Sequence, residues 1–476
     1  MRSVKLTTLR KSNLYPVSRV LAVLLFSGIY GAAYTQDNSP YSRYGLGDKF
    51  PNTNAANRAM GGISAAYNDY YNINFNNPAS YSFFQAQQEP NSRKLANGRG
   101  VLNIGVDGQV RTLIDKEAQK RFPASDVVFS HVMVGMPLRK NWGMAFGLRP
   151  VHRINYKMER WGNIMDHRTN LPIDSGRILS EGQGGLYLAS LGTGVKFRVG
   201  ESGFLSLGAT GGYMFGKKDY STRLTLISPD ATAIYAAGNK QTKTGLGGLY
   251  FDAGAQLQLK MSDKIYLGIG GYGNLNRNIS TSSDIIHETY IYDENQGYVR
   301  RDSVSDVKDI KGSFDYPASV TGGFIIHKPQ LNPTSESGWL FGVDFTHTAW
   351  DNYRSNGQAD PDLRSNWMLK VGTELNPVKK NNYFSLVSYR AGFFTGPDYV
   401  YLNNTAMPTY GISFGVGLPL INYNGAMARF QQSVLNLGFE YVKRGNNDNI
   451  LQENLFRVSA GFSLSDLWFI KRRYVD

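Results

Sequence analysis

From residue 100 onward, apolar residues recur at every second position in segments of about ten residues, and no other feature limits the fold so tightly. LNIGVDGQV (102–110) sets Leu102, Ile104, Val106, Gly108 and Val110 against polar or small partners. WGMAFGLRP (142–150) repeats the pattern with Trp142, Met144, Phe146 and Leu148, and FLSLGATGGYMFG (204–216) with Leu205, Leu207, Ala209, Tyr213 and Phe215. WLFGVDFTHTAW (339–350) and WMLKVGTEL (367–375) continue it. FRVSAGFSLSDLWF (456–469) closes it, with Phe456, Val458, Ala460, Phe462 and Leu464 opposite Arg457, Ser459, Gly461, Ser463 and Ser465. Period two is the signature of a strand with one apolar and one polar face. About fourteen such segments are counted, centred near residues 106, 131, 147, 190, 209, 253, 270, 321, 344, 370, 388, 413, 437 and 462.

The connections alternate between brief and long. PLRKN (137–141), RVGES (198–202) and KMSDK (260–264) are brief, whereas 157–180, 217–243 and 277–312 read as long polar loops. Short turns at one end and long loops at the other mark an outer-membrane barrel. A soluble β-sandwich would carry strands of about five or six residues, shorter than several segments here. Trp142, Trp339, Trp350, Trp367 and Trp468 stand near segment ends, as interfacial girdles require. The expected fold is all-β: a transmembrane antiparallel barrel of about 14 strands. Its 52 Gly, 30 Tyr and 25 Phe suit strands. With no Cys, disulfides and thiolate metal sites are excluded.

Residues 1–19 carry Arg2, Lys5, Arg10, Lys11 and Arg19 and no acid, followed by VLAVLLFSGIY and GAAYTQ. This is a signal peptide, with cleavage expected after Thr35 or Ala33. Loss of the five basic residues lowers the formal charge of +14 to about +9. The remaining cations are scattered among strands, so outer-membrane lipid and lipopolysaccharide, not nucleic acid, are the expected anionic partners. Six histidines lie dispersed without metal spacing, no G-x-S-x-G elbow is present, and GGYGNLN (270–276) continues a strand. No enzyme, metal or cofactor is expected. Asp360/Asp362 and Asp302/Asp306 are read as solvated loop acids or weak calcium contacts, not as a site.

Residues 36–98 precede the first strand and have no sustained period. RAMGGISAAYNDYYNINFNNPASYSFF (58–84) is too polar for a core and too apolar for a linker. A barrel of about 14 strands encloses a lumen wider than its own side chains fill. A small-residue, amide-rich segment suits a plug there: amides bond to polar walls, and Pro78 fixes a turn while holding Asn77 extended. GGISAAYNDYYNINFNNPASYS resembles the N-terminal hatch of the FadL family of outer-membrane hydrophobic-compound transporters, whose Gly/Ala-rich stretch leads into Asn-Pro-Ala, here Asn77, Pro78 and Ala79. The flanks SPYSRYGLGD (39–48) and LSDLWFIKRRY (464–474) are similar to those of divergent Bacteroidetes-type members. The resemblance implies fourteen strands, an N-terminal hatch, a hydrophobic small-molecule ligand and lateral exit through a break in the third strand.

That strand contains GLRPVHRINY (147–156). Pro150 cannot donate to a ladder, so a bulge or gap is expected there. Arg149 and Arg153 are candidates for pairing with a passing carboxylate, both facing the lumen if a bulge shifts the register between them. Tyr41 and Tyr44, with Leu46, are candidates to occlude an apolar pocket, and Arg43 offers a charge there. The alternative function is a non-transporting barrel that anchors an outer-membrane protein partner or serves a secretion or assembly complex, with 277–312 (Tyr290, Tyr292, Tyr298) as a partner surface. A continuous apolar pocket beneath the loops favours transport, and a lumen solidly filled by the hatch favours the anchor. Nothing indicates an oligomer, and a monomer is expected.

Overall fold

A computed structural model describes residues 38–468 apart from 93, 117–118, 166–171, 201, 228–235, 294, 296 and 421–430. The expected signal peptide and the basic tail beyond Trp468 lie outside the described residues. Fourteen antiparallel strands form the wall: β1 (Leu95–Asp115), β2 (Lys120–Arg139), β3 (Trp142–Met165), β4 (Pro172–Val199), β5 (Gly203–Ile227) and β6 (Ala237–Lys260). β7 runs in two pieces, Tyr266–Asn274 and Arg277–Asp293, as does β8, Gly297–Tyr316 and Ser319–Lys328. β9 (Gly338–Thr348), β10 (Asn366–Asn376), β11 (Ser388–Leu402), β12 (Thr405–Pro419), β13 (Gln431–Arg444) and β14 (Leu451–Trp468) follow. β14 pairs with β1 from Leu451↔Asp115 to Trp468↔Gly98, so the sheet closes on itself. Each of the fourteen expected centres falls within a different strand.

The faces are inverted relative to a soluble barrel. Val106, Phe146, Leu207, Leu249, Phe341, Phe414 and Phe456 are exposed on the outside. Asn103, Asp107, Ser206, Asp344, Asn436, Arg457 and Ser459 are buried on the inside. Polar inside and apolar outside is stable only when lipid surrounds the wall, and closure leaves no ladder exposed at the β14–β1 junction. The brief turns at 139–142, 199–203 and 260–266 lie at one end, where β1 starts and β14 finishes.

The expected long loops are a correction. Residues 157–165 and 172–180 extend β3 and β4, 217–227 and 237–243 extend β5 and β6, and most of 277–312 is a hairpin of β7 and β8. β4 alone has 28 residues, whereas about 9–11 tilted residues span a membrane. A six-stranded sheet therefore rises beyond the bilayer on one side. Alternation among Ser, Thr, Lys and Gly leaves both faces wet, so no hydrophobic period announces it.

Inside the wall, residues 39–84 contact strands around the circumference. A short helix at Ala55–Arg58 is capped by Asn54, whose side chain accepts from the Asn57 amide at 2.8 Å, and it packs against β12, β13 and β14. Gly61 has φ +67°, and a Cβ there would come within 2.7 Å of the Val371 carbonyl on β10. The Pro78–Phe83 3₁₀ turn packs against β4, β5 and β6. Gly208 on β5 admits it, since a Cβ there would lie 2.3 Å from the Pro78 carbonyl carbon.

Candidate functional site

The third strand carries the break that Pro150 foreshadows. β3 pairs with β2 only from Arg139↔Trp142 to Val132↔Leu148. Beyond that point no ladder joins Lys120–His131 to Arg149–Met165 among the described residues. On its other side β3 stays paired with β4, but the register shifts between Pro150 and His152, leaving Val151 as an extra residue. The proline, which has no N–H to give, thus stands where the neighbouring strand departs.

The N-terminal segment satisfies the freed edge of β3. Asp48 and Lys49 form a short ladder with Arg153 and His152. The Phe50 amide donates to the Val151 carbonyl at 2.9 Å, and the Ser39 amide to the Asn155 carbonyl at 2.9 Å. The Asn155 and Lys157 amides donate to Ser42 Oγ at 3.1 Å and Asn38 Oδ1 at 3.0 Å. The opposite edge, on β2, has no strand against it among the described residues, although Asp126 Oδ1 accepts from the adjacent Val127 amide at 2.8 Å. Arg153 and Asp126 form an ion pair across the seam.

The bulge separates the two candidate arginines instead of uniting them, a correction to the expected pairing. Residues two or four apart share a face in an unbroken strand; the extra residue turns Arg149 inward and Arg153 towards the seam. Arg149 is buried, donating to Asn52 Oδ1 at 2.8 Å and Asn76 Oδ1 at 3.2 Å, with its guanidinium 5.0 Å from the Phe75 ring centroid.

Tyr41, Arg43 and Tyr44 do come together. With Met158, Leu402 and Met407 they line a mostly apolar cavity of about 150 Å³ at the outer end. Tyr41 donates its hydroxyl proton to the Leu451 carbonyl at 2.7 Å, and burial, then the Glu453 carboxylate, push that phenol up to about 12. Leu46 lies beside this pocket in a packed apolar cluster with Trp350, Leu363, Tyr399 and Val400. Trp350 stacks on Tyr399 at 4.2 Å, and Tyr399 donates to the Gly47 carbonyl at 2.6 Å.

Asn77, Pro78 and Ala79 line none of the cavities described here. Asn77 caps the 3₁₀ turn by accepting from the Ala79 amide at 3.1 Å, and it donates to the Ala65 carbonyl at 2.6 Å and, more weakly, to Ala255 and Gly271 in the wall. The tripeptide therefore fixes the segment to β5, β6 and β7.

Sequence reasoning missed the charge network that holds the segment. Arg444 reaches Asp48 at 2.8 Å, Asp398 at 2.8 Å and Glu453 at 3.2 Å. Arg111 reaches Glu453 at 2.7 Å and Asp48 at 3.3 Å. Arg58 pairs with Asp107 at 2.5 Å, and Arg457 with Glu440 at 2.7 Å. Burial alone raises the Asp48 carboxyl, but Arg444 and then Arg111 more than reverse this and hold it below the usual carboxylate range. Lys49, facing a central cavity of about 300 Å³ lined by seven cationic and five acidic side chains, is pressed down to about 8 by burial and then by Lys370. The available signal was charge at inward positions: Arg111, Glu440, Arg444, Glu453 and Arg457 interrupt strands whose opposite face is apolar.

The fold is shared with a solved FadL homologue. The crystal structure of a Pseudomonas aeruginosa FadL homologue is 14% identical, with 89% of this chain and 99% of that one covered, at a TM-score of 0.50. The Pseudomonas putida toluene transporter TodX is 16% identical over 88% of this chain and 98% of its own (TM-score 0.47). The CymD monoaromatic hydrocarbon channel is 12% identical over 86% and 97% (TM-score 0.47). No curated protein matches the sequence. The likeness to the FadL homologue is one of fold, and it agrees with the resemblance carried by residues 61–82. The BamG family model matches residues 17–475, almost the entire chain, and the protein therefore belongs to the BamG family.

Proposed function

We propose that this outer-membrane barrel admits small hydrophobic or amphipathic molecules, fatty-acid-like in chemistry, and releases them sideways into the membrane between β2 and β3. One observation carries the reading: the missing ladder beyond Val132 and Leu148. Backbone left unpaired within a lipid-facing wall is costly, so a seam closed by an ion pair and an N-terminal segment in place of a ladder is a place built to part. The Tyr41–Arg43–Tyr44 cavity supports it, offering apolar surface with Arg43 and Asp448 as its charged lining at the outer end. Arg149 and Arg153 then flank the path, one inside the wall and one at the seam. Opening breaks the Arg153–Asp126 pair and displaces Asp48–Phe50 from β3.

The test is a staple across the seam, the double variant Asp126→Cys/Arg153→Cys, assayed for uptake of labelled fatty acid and toluene into proteoliposomes. Uptake should vanish on oxidation and return on reduction. Equal uptake by oxidised and reduced protein sinks the lateral route.

A second reading, an accessory barrel that anchors a partner or serves a secretion or assembly complex, is favoured by the filling of the lumen. A buried apolar cluster occupies the space beneath the outer loops apart from the small Tyr41 cavity, and the central cavity sets twelve charged side chains among its apolar ones. A reduced protein that takes up neither compound while its seam stays intact selects this reading.

A further inference from the structure

Of the cations lining the central cavity, Arg58, Arg111, Arg444 and Arg457 are held by carboxylates of the same chain. Lys49 on the internal segment, Lys370 on β10 and Arg149 on β3 line the same cavity. Among the described residues none of these three has a carboxylate within ion-pair distance. The acids that act on them are engaged elsewhere or stand off. Asp398, which acts on Lys49, bonds Arg444 at 2.8 Å. Asp344, which acts on Lys370, accepts from the Ser64 and Ala65 amides at 2.6 and 2.8 Å. Asp252, which acts on Arg149, lines the cavity outside the ion pairs. Lys49 is exposed although it sits inside the wall, so the space its side chain meets is the cavity. There it feels Lys370, a like charge that opposes its own. Two donors on the same lining, Arg149 Nε and the Thr409 hydroxyl, have no hydrogen-bond partner, an arrangement that costs stability while no acceptor is supplied.

We propose that the central cavity binds one phosphate-type oxyanion, free phosphate or the phosphate of a lipid headgroup, which joins Lys49 to Lys370 and Arg149 and so ties the internal segment to the wall. An anion between the two ammonium groups turns their repulsion into attraction, and it supplies acceptors to donors that lack them. Lysine is a compact point charge with three donors, and arginine adds directed N–H groups. Cations carried by three separate elements suit four tetrahedral oxygens better than the two of a planar carboxylate. The charged side chains of the lining make the cavity a poor sleeve for a long acyl chain, which sets this site apart from the Tyr41 pocket. The bound anion would act as a latch, because Lys49 adjoins Asp48 and Phe50, the residues laid along β3 at the seam. The inference rests on no step of the transport reading.

The test titrates inorganic phosphate, sulfate, acetate and dihexanoyl phosphatidic acid into the full chain in neutral detergent and chloride buffer at about pH 7, with binding read by calorimetry. Protease cleavage within residues 38–50 is timed in parallel. Phosphate and sulfate should each bind once per chain, about tenfold or more tightly than acetate, and phosphate should slow the cleavage. Lys49→Gln/Lys370→Gln should lose about tenfold or more in phosphate affinity, and the protection with it, while keeping the heat-modifiable folded band. Lys49→Arg/Lys370→Arg should retain both. Tighter binding of dihexanoyl phosphatidic acid than of phosphate assigns the site to a lipid headgroup, and the reverse order to free phosphate. Equal phosphate affinity in wild type and the Gln pair overturns the proposal. So does acetate binding as tightly as phosphate, or no saturable phosphate binding to wild type, and these two results need no variant to fold.

Discussion

Arg444 touches three carboxylates, one on the internal segment (Asp48) and two on the wall (Asp398 and Glu453), and its guanidinium also lies 4.9 Å from the Tyr41 ring. Removing one partner from a buried ionic cluster costs about 3–5 kcal/mol because the remaining charges stay buried. Arg444→Ala should therefore lower the urea midpoint of the folded, heat-modifiable form and expose residues 38–50 to protease. Asp48 gives the cluster a pH dependence. Its folded carboxyl lies below its unfolded value, so its stabilisation is complete above the ordinary carboxylate range and is lost as pH falls through the lower folded value. A spin label at Arg43→Cys should become mobile only once pH has fallen below the ordinary carboxylate range and through the lower folded value, and with Asp48→Asn it should be mobile throughout; a label as fixed in Asp48→Asn as in the unaltered cluster contradicts this. Tyr41, Arg43 and Tyr44 were legible as a pocket because they are neighbours in sequence. Asp126 was not, since only the departure of β2 from β3 brings it to Arg153.

At the scale of elements, the third strand was half legible. Pro150 announces a defect through its missing N–H, but which way the following side chains turn depends on whether Val151 is accommodated as an extra residue, and nothing local decides that. Pro150→Val restores a donor at the seam and should lower uptake of fatty acid in the proteoliposome assay; unchanged uptake counts against the role assigned to the break. The internal segment depends on close backbone approach. Gly61→Val meets the Val371 and Phe393 carbonyls and a positive φ together, so it should yield barrels whose residues 55–65 are rapidly cleaved. Full protease resistance in that variant would show that the segment is not seated against β10 and β11. The tall sheet of β3–β8 escaped the sequence for a different reason. Burial on one face creates the hydrophobic period that reading relies on, and strands wet on both faces have none.

For the whole molecule, the inverted alternation was the most legible property. Aromatic and aliphatic residues face lipid, while Asn, Ser, Asp and Arg face a segment made of the same polar and small residues. The lumen is thus a polar core built by two parts of one chain, and its hydrogen bonds link residues hundreds of positions apart, as between Asn72 and Asn436 at 2.7 Å. Such pairings cannot be read from spacing, which is why the barrel was evident and its internal contacts were not. The central claim is that residues 38–84 stopper this cylinder. Planar-bilayer conductance tests it most directly, comparing the full chain with one lacking those residues, each first shown to be heat-modifiable. The full chain should hold the membrane closed, and the shortened chain should pass ions in stable steps, raising the mean current about tenfold or more, because a barrel of this size leaves an unfilled bore. Equal currents from the two proteins would contradict the account.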